Sequence, residues 1–206
     1  MNIRTSTRRL VLLSVFAAII LALGFPGSPL HIIGFPTFGP ISATTLHIPV
    51  ILGAVLEGPL FGGILGLVMG VTSLLSALLS PDLSSPFFLR PEISILPRIL
   101  IGLVAAGVFR LLARRVNRSW AAGLAAAAGT LTNTILVVGL MTWRGAVGAV
   151  DSQVWTAIKS AMGVVISANG ICELVIAIVV TVALERALRP LVARGHKRAP
   201  SGGQAS

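Results

Sequence analysis

An arginine stands inside an apolar run, Pro91-Glu92-Ile93-Ser94-Ile95-Leu96-Pro97-Arg98-Ile99-Leu100-Ile101-Gly102. A charged side chain at membrane depth costs at least about 2.5–3.5 kcal/mol on insertion scales, so intramembrane ionisable residues mark functional positions by default. Arginine stays protonated and presents its donors in a planar fork that matches a carboxylate. The carboxylate can come from the protein or from a ligand. The competing reading is a snorkelling side chain, with its stem in lipid and its head at the interface. Arg98 has polar company: His47, Asn133, Asn169 and Glu173 also interrupt apolar segments. Asn169 and Glu173 are four apart and share one helical face. Taken singly, each asparagine reads better as an interhelical hydrogen bond that glues a bundle. Glu173 is the internal alternative to a ligand as counter-ion of Arg98, and His47 fits either a ligand contact or a satisfied polar residue at a helix end.

Other chemistries lack their residues. The lysines are Lys159 and Lys197, neither after a glycine-rich turn, so this polypeptide has no phosphate-binding loop for ATP hydrolysis. No HExxH or GxSxG occurs, and the acidic residues are too scattered to hold a catalytic metal pair. Neither enzymatic activity nor a resident cofactor is expected. Cys172 is the single cysteine and lies in an apolar run, which excludes an intrachain disulfide or a cysteine metal site.

The elements that position these residues follow from composition. Of 206 residues 55% are hydrophobic and 11% charged, with mean hydropathy +0.95, whereas soluble domains are about 25% charged. The chain reads as an all-α, multi-pass membrane protein with six transmembrane helices. Twelve of the sixteen Lys and Arg lie in three clusters, at Arg4–Arg9, Arg110–Arg118 and Arg186–Arg198. The net charge of +10 therefore follows the positive-inside pattern, and nucleic acid is not an expected partner. In a six-span chain those clusters are all cytoplasmic, as are both termini, while Arg90, Arg98, Arg144 and Lys159 fall on the outer side.

The first span, Leu10–Leu23, begins like a secretory signal but is read as a retained helix. Its small residues Ser14, Ala18 and Ala22 recur every fourth position and form a ridge suited to close helix approach. Residues 24–43 are rich in Pro and Gly and form an apolar loop. A short second segment, Ile41–Leu56, carries His47 and the helix-kinking Pro49, and Glu57-Gly58-Pro59 makes a tight turn. The third span is Leu60–Leu79, with a second ridge at Gly62, Gly66 and Gly70 that packs inside the protein or against a partner. A polar, proline-punctuated loop covers residues 80–92. The remaining spans are Ile93–Leu112, Trp120–Met141 and Ala157–Leu184. Residues 1–188 thus form one six-helix domain, and 189–206 a basic cytoplasmic tail with a disordered end. At about 1.5 Å per residue, Arg98 lies about 8 Å from the outer surface, Asn133 about 12 Å and Asn169 about 16 Å, all reachable from outside.

The order of Leu46-His47-Ile48-Pro49, Glu57-Gly58-Pro59-Leu60-Phe61-Gly62-Gly63, Pro97-Arg98-Ile99-Leu100-Ile101-Gly102, Asn133-Thr134 and Asn169-Gly170-Ile171-Cys172-Glu173 resembles the substrate-binding S components of energy-coupling factor (ECF) vitamin transporters, over roughly residues 8–188. The resemblance implies a plasma-membrane protein of a prokaryote that captures a vitamin or vitamin precursor from outside. It would hand the molecule inward by docking on a transmembrane coupling subunit that carries two cytosolic ATPases. The docking face maps onto Ser14, Ala18 and Ala22, and the pocket onto the loops after spans one and three and the outer ends of spans four to six. His47-Ile48-Pro49 and Pro97–Gly102 are most similar to pantothenate-type members, which would pair Arg98 with the pantothenate carboxylate. Folate, pyridoxine and hydroxymethylpyrimidine members share much of the pattern. The alternative is a self-sufficient secondary carrier of a small organic anion, in which Arg98 and Glu173 exchange partners, although no internal repeat supports it.

Overall fold

The computed structural model describes residues 3–34, 44–148, 151–164 and 170–197. Among these residues the secondary structure is all helical. In chain order the helices are α1 (Ile3–Gly24), α2 (His31–Gly34), α3 (His47–Glu57), α4 (Pro59–Leu79), α5 (Ser85–Phe88), α6 (Pro91–Ser94), α7 (Leu96–Leu112), α8 (Arg118–Ala146), α9 (Ser152–Val164) and α10 (Gly170–Lys197).

Among the described residues four segments are long and apolar enough to cross a membrane: Thr7–Gly24, Pro59–Leu79, Pro91–Leu112 and Arg118–Ala146. The second expected span is shorter, an 11-residue helix. The sixth expected span falls on α9, described to Val164, and α10, described from Gly170, and residues 165–169 between them lie outside the described residues. The 28-residue α10 has the length of a span but carries Glu173, Glu185 and Arg186 within it.

The short helix is the centre of the bundle. α3 packs against α1, α4, α7, α8 and α10, and nearly every residue from His47 to Leu56 is buried. A helix that is apolar all round belongs inside, and with five neighbours it has no lipid-facing side to fill. Gly58, with φ of 103°, ends α3 and begins α4 at once, a conformation that glycine tolerates and side chains resist. Pro59 follows at the first helical position, where its fixed φ suits a helix start. Proline has the same role in the 80–92 loop, where Pro86 and Pro91 open the one-turn helices α5 and α6.

The glycine ridge of α4 packs inside the chain, against α7. A methyl group on Gly62 would stand 2.9 Å from the Gly102 carbonyl oxygen, one on Gly66 would stand 2.2 Å from the Arg98 carbonyl oxygen, and one on Gly70 would stand 2.8 Å from the Ile95 Cα. Lipid tails are as apolar as leucine, so close van der Waals contact is what holds such helices together. The same series of contacts shows that α4 and α7 run antiparallel and that α4 sets the position of the Arg98 backbone.

The two ends of this pair differ chemically. At the Gly58 end, Glu57, with its side chain 3% exposed, accepts from Arg8 at 3.2 Å and from Arg9 at 2.9 Å. Arg118 pairs with the fully buried Glu185 at 2.8 Å, and Arg186 donates to Ser119 Oγ at 2.9 Å. The opposite end holds Ser80 and Arg98 and a second apolar cluster, in which α9 contributes Ile158 and, partly buried, Trp155 to Phe87, Ile93 and Met141.

Candidate functional site

Arg98 is 2% exposed. Its position follows from Pro97, which has no N–H and so leaves the carbonyl four residues earlier, that of Ile93, without a helical donor. Arg98 Nη1 donates to that carbonyl at 2.7 Å. The guanidinium also lies over the Phe88 ring, with Cζ 5.1 Å from the centroid, and Ser94 Oγ donates to the Phe88 carbonyl, tying α6 to the end of α5. Nε is buried without a partner, and the four ion pairs found among the described residues do not include Arg98. The snorkelling reading does not fit a side chain this enclosed. One edge of the fork is used by backbone, and among the described residues no protein carboxylate lies within ion-pairing distance of it.

Arg98 lines a cavity of about 300 Å³. From α4 the wall takes Ser73, Ser76 and Ala77; from the turns beyond it, Ser80, Asp82, Ser84 and Ser85; from the α1–α3 connection, His31, Ile32 and Thr44. Asp82 organises the rim: its Oδ1 accepts from Ser84 N at 3.0 Å, Ser84 Oγ at 2.8 Å and Ser85 Oγ at 2.9 Å, and its own N–H donates to Ser85 Oγ at 2.7 Å. The result is a small compartment with one buried cation, several hydroxyls and a carboxylate at its mouth. Its size is at the lower end for ligand sites. Among the described residues no cluster of three or more His, Cys, Asp or Glu is placed to hold a metal ion.

Of the other expected substrate-binding residues, those that the structure describes, His47, Asn133 and Glu173, are not in the cavity wall. Glu173, in the first turn of α10, is half-buried and accepts from Thr44 N at 2.7 Å, so it reaches the cavity through Thr44. Arg98 lies within electrostatic reach of both Glu173 and His47. His47 is fully buried at the start of α3. The Thr44 backbone is near its ring, yet neither ring nitrogen makes a hydrogen bond of good geometry. Asn133, on α8, is 5% exposed and its Oδ1 has no partner. Neither of these two is in the cavity wall, and Asn169 lies outside the described residues. On α1, Ser14 and Ala18 are exposed and Ala22 is partly so, with Ser14 Oγ bonded back to Leu10 O at 2.9 Å.

Sequence reading missed the serines. Ser73, Ser76 and Ser80 are spaced by three and then four residues, a polar stripe on one face of an otherwise apolar span, and that periodicity was the available signal.

Residues 8–185 match the family described as the ECF transporter, substrate-specific component. The chain is also similar to the pantothenic acid transporter PanT of Lactococcus lactis subsp. cremoris (strain MG1363), with 30% identity over 166 residues, which is 72% of this chain and 79% of that protein.

Proposed function

The chain belongs to the family of substrate-specific components of ECF transporters, and we propose that it captures pantothenate, or a closely similar vitamin-type acid, from the extracellular side of a prokaryotic plasma membrane for ATP-driven uptake. The observation that carries this reading is Arg98, a buried cation in the wall of a hydroxyl-rich cavity that forms no ion pair with a protein carboxylate among the described residues. A bound carboxylate would supply the missing charge in bidentate geometry. The similarity to a pantothenic acid transporter supports the choice of acid. His47, Asn133 and Asn169 are the further polar groups assigned to the substrate, and Glu173 acts on it through Thr44.

In this reading six crossings place both termini in the cytoplasm, with α3 and α10 supplying the two beyond the four long apolar segments. Orientation is supported by the arrangement along α4 and α7. Arg8, Arg9, Arg118 and Arg186 gather at the end opposite the cavity, and basic residues favour the cytoplasmic face, which turns the cavity outward. ATP hydrolysis is assigned to cytosolic ATPases reached through a transmembrane coupling subunit, docked on the Ser14, Ala18 and Ala22 face of α1.

The test is mass spectrometry of small molecules retained by the detergent-purified chain, followed by titration calorimetry with pantothenate. Retention or tight binding of pantothenate, lost in Arg98→Ala, is the expected result. A folded protein that retains nothing and gives no heat with a panel of vitamins would remove the reading.

A further inference from the structure

Ser73 lines the cavity on α4, is 5% exposed, and its hydroxyl makes no hydrogen bond. Several hydroxyls in these helices are satisfied by bonding back one turn, Thr72 Oγ to Val68 O at 2.8 Å, Thr132 Oγ to Ala128 O at 2.7 Å and Thr142 Oγ to Val138 O at 2.7 Å, whereas those of Thr130 and Thr181, both outside the cavity wall, are buried without a partner as that of Ser73 is. Back-bonding is the ordinary outcome for a hydroxyl in an apolar helix, since water is not there to replace it. Ser73 departs from its neighbour Thr72 in this, and it does so at the cavity wall.

The fold fixes where that hydroxyl stands. Gly70, one turn before Ser73, packs on Ile95 at the start of α7, and Arg98 lies one turn beyond Ile95. Ser76 continues the same wall on the next turn of α4. Phe88, the one phenylalanine of the wall among the described residues, already carries the Arg98 guanidinium on its ring. Among the described residues the compartment therefore offers a cation for an acid and hydroxyls for hydrogen bonds, and little free aromatic surface on which a flat heterocycle would stack.

We propose that Ser73 is a specificity-determining residue that exchanges a hydrogen bond with a hydroxyl of the captured acid, so that the site selects a flexible, hydroxylated carboxylic acid over the same acid without its hydroxyls. The inference rests on the reading of the cavity as the capture site. Pantothenate has the required form, with a carboxylate at one end of a flexible chain and hydroxyls at the other. A site whose buried polar group is left unpaired by an analogue rejects that analogue.

The experiment is a two-by-two titration on the full-length chain in detergent. Wild type and Ser73→Ala are each titrated with pantothenate and with an analogue in which its hydroxyls are replaced by hydrogen. Ser73→Ala is expected to weaken pantothenate binding about 3- to 10-fold, the range for one neutral hydrogen bond, and to leave the analogue's affinity unchanged. The melting temperature of the ligand-free variant is expected to hold or rise, because the substitution removes an unpaired buried hydroxyl. Equal weakening of both ligands, or of neither, with wild type still binding pantothenate, overturns the role of Ser73 alone. Absence of binding to folded wild type overturns the capture reading itself, and the proposal with it.

Discussion

Glu173 Oε1 accepts a hydrogen bond from the Thr44 backbone N–H at 2.7 Å, joining residues 129 positions apart. The bond brings the first turn of α10 to a cavity-lining residue three positions before α3. Sequence left Glu173 with two roles, counter-ion of Arg98 or substrate contact. In the structure its carboxylate holds backbone, and Arg98 feels only its field.

That arrangement separates two substitutions. Glu173→Gln keeps an acceptor for Thr44 and removes a negative charge that competes with an anionic ligand for Arg98, so its affinity for pantothenate is expected to equal or exceed that of wild type. Glu173→Ala loses the acceptor, and a bond to a charged group is worth about 1.5 kcal/mol or more, so affinity is expected to fall about tenfold. Calorimetry on both variants decides. Equal damage from Gln and Ala would mean that the charge itself is what the site needs.

Arg98 makes a prediction in which stability and function move in opposite directions. A buried charge without a carboxylate partner is destabilising, so Arg98→Met is expected to melt at or above the wild-type temperature without ligand. Removing one partner of a buried charge pair costs about 2–5 kcal/mol, so the same variant is expected to bind pantothenate at least about 30-fold more weakly. Arg98→Lys keeps the charge without the fork and is expected to fall between. A variant that loses stability and keeps affinity would return Arg98 to a structural role.

The sequence disclosed Arg98 because one charge in an apolar run is costly wherever the chain goes, and it disclosed the glycine ridge because a period of four survives any tertiary arrangement. It could not say that Gly66 faces Arg98, since pairing between helices is not written in either helix alone. It also hid the fate of hydroxyls: Thr72 and Ser73 are adjacent and alike in type, yet Thr72 bonds to its own helix and Ser73 does not. Glu57 was read only as part of a turn, although the structure buries it between Arg8 and Arg9, where it holds the start of α1 to the end of α3.

The Gly66 contact gives a third test. With the new methyl 2.2 Å from the Arg98 carbonyl oxygen and 2.9 Å from Ile99 Cα, backbone has to move, and overpacking of this kind costs about 1–3 kcal/mol. Gly66→Ala is expected to lower the melting temperature and also to weaken pantothenate binding, because α7 carries Arg98 away from the wall. Gly107→Ala, on the same α7 helix with nothing within 4 Å of the new methyl, is expected to be neutral or stabilising. Thermal melts and titrations of the two variants check this, and a Gly66→Ala protein with wild-type affinity would show that α4 does not set the arginine.

α1 gives the last test. Its inward face is set by Phe16 and Ile20, both buried, with the Phe16 ring edge-on to Phe61 at 6.3 Å. Positions two residues away from these point the opposite way at about 100° per residue, and Ser14 and Ala18 are accordingly exposed. Of the four long apolar segments this one is the least covered, with 17% of its length buried. A small-residue ridge turned away from its own bundle suits a second protein, because small side chains let backbones approach closely. Ala18→Leu is therefore expected to abolish co-purification with a coupling subunit while leaving pantothenate affinity and the melting temperature of the isolated chain unchanged. Retained co-purification with a leucine at that position would mean that the ridge meets lipid and that docking uses another face.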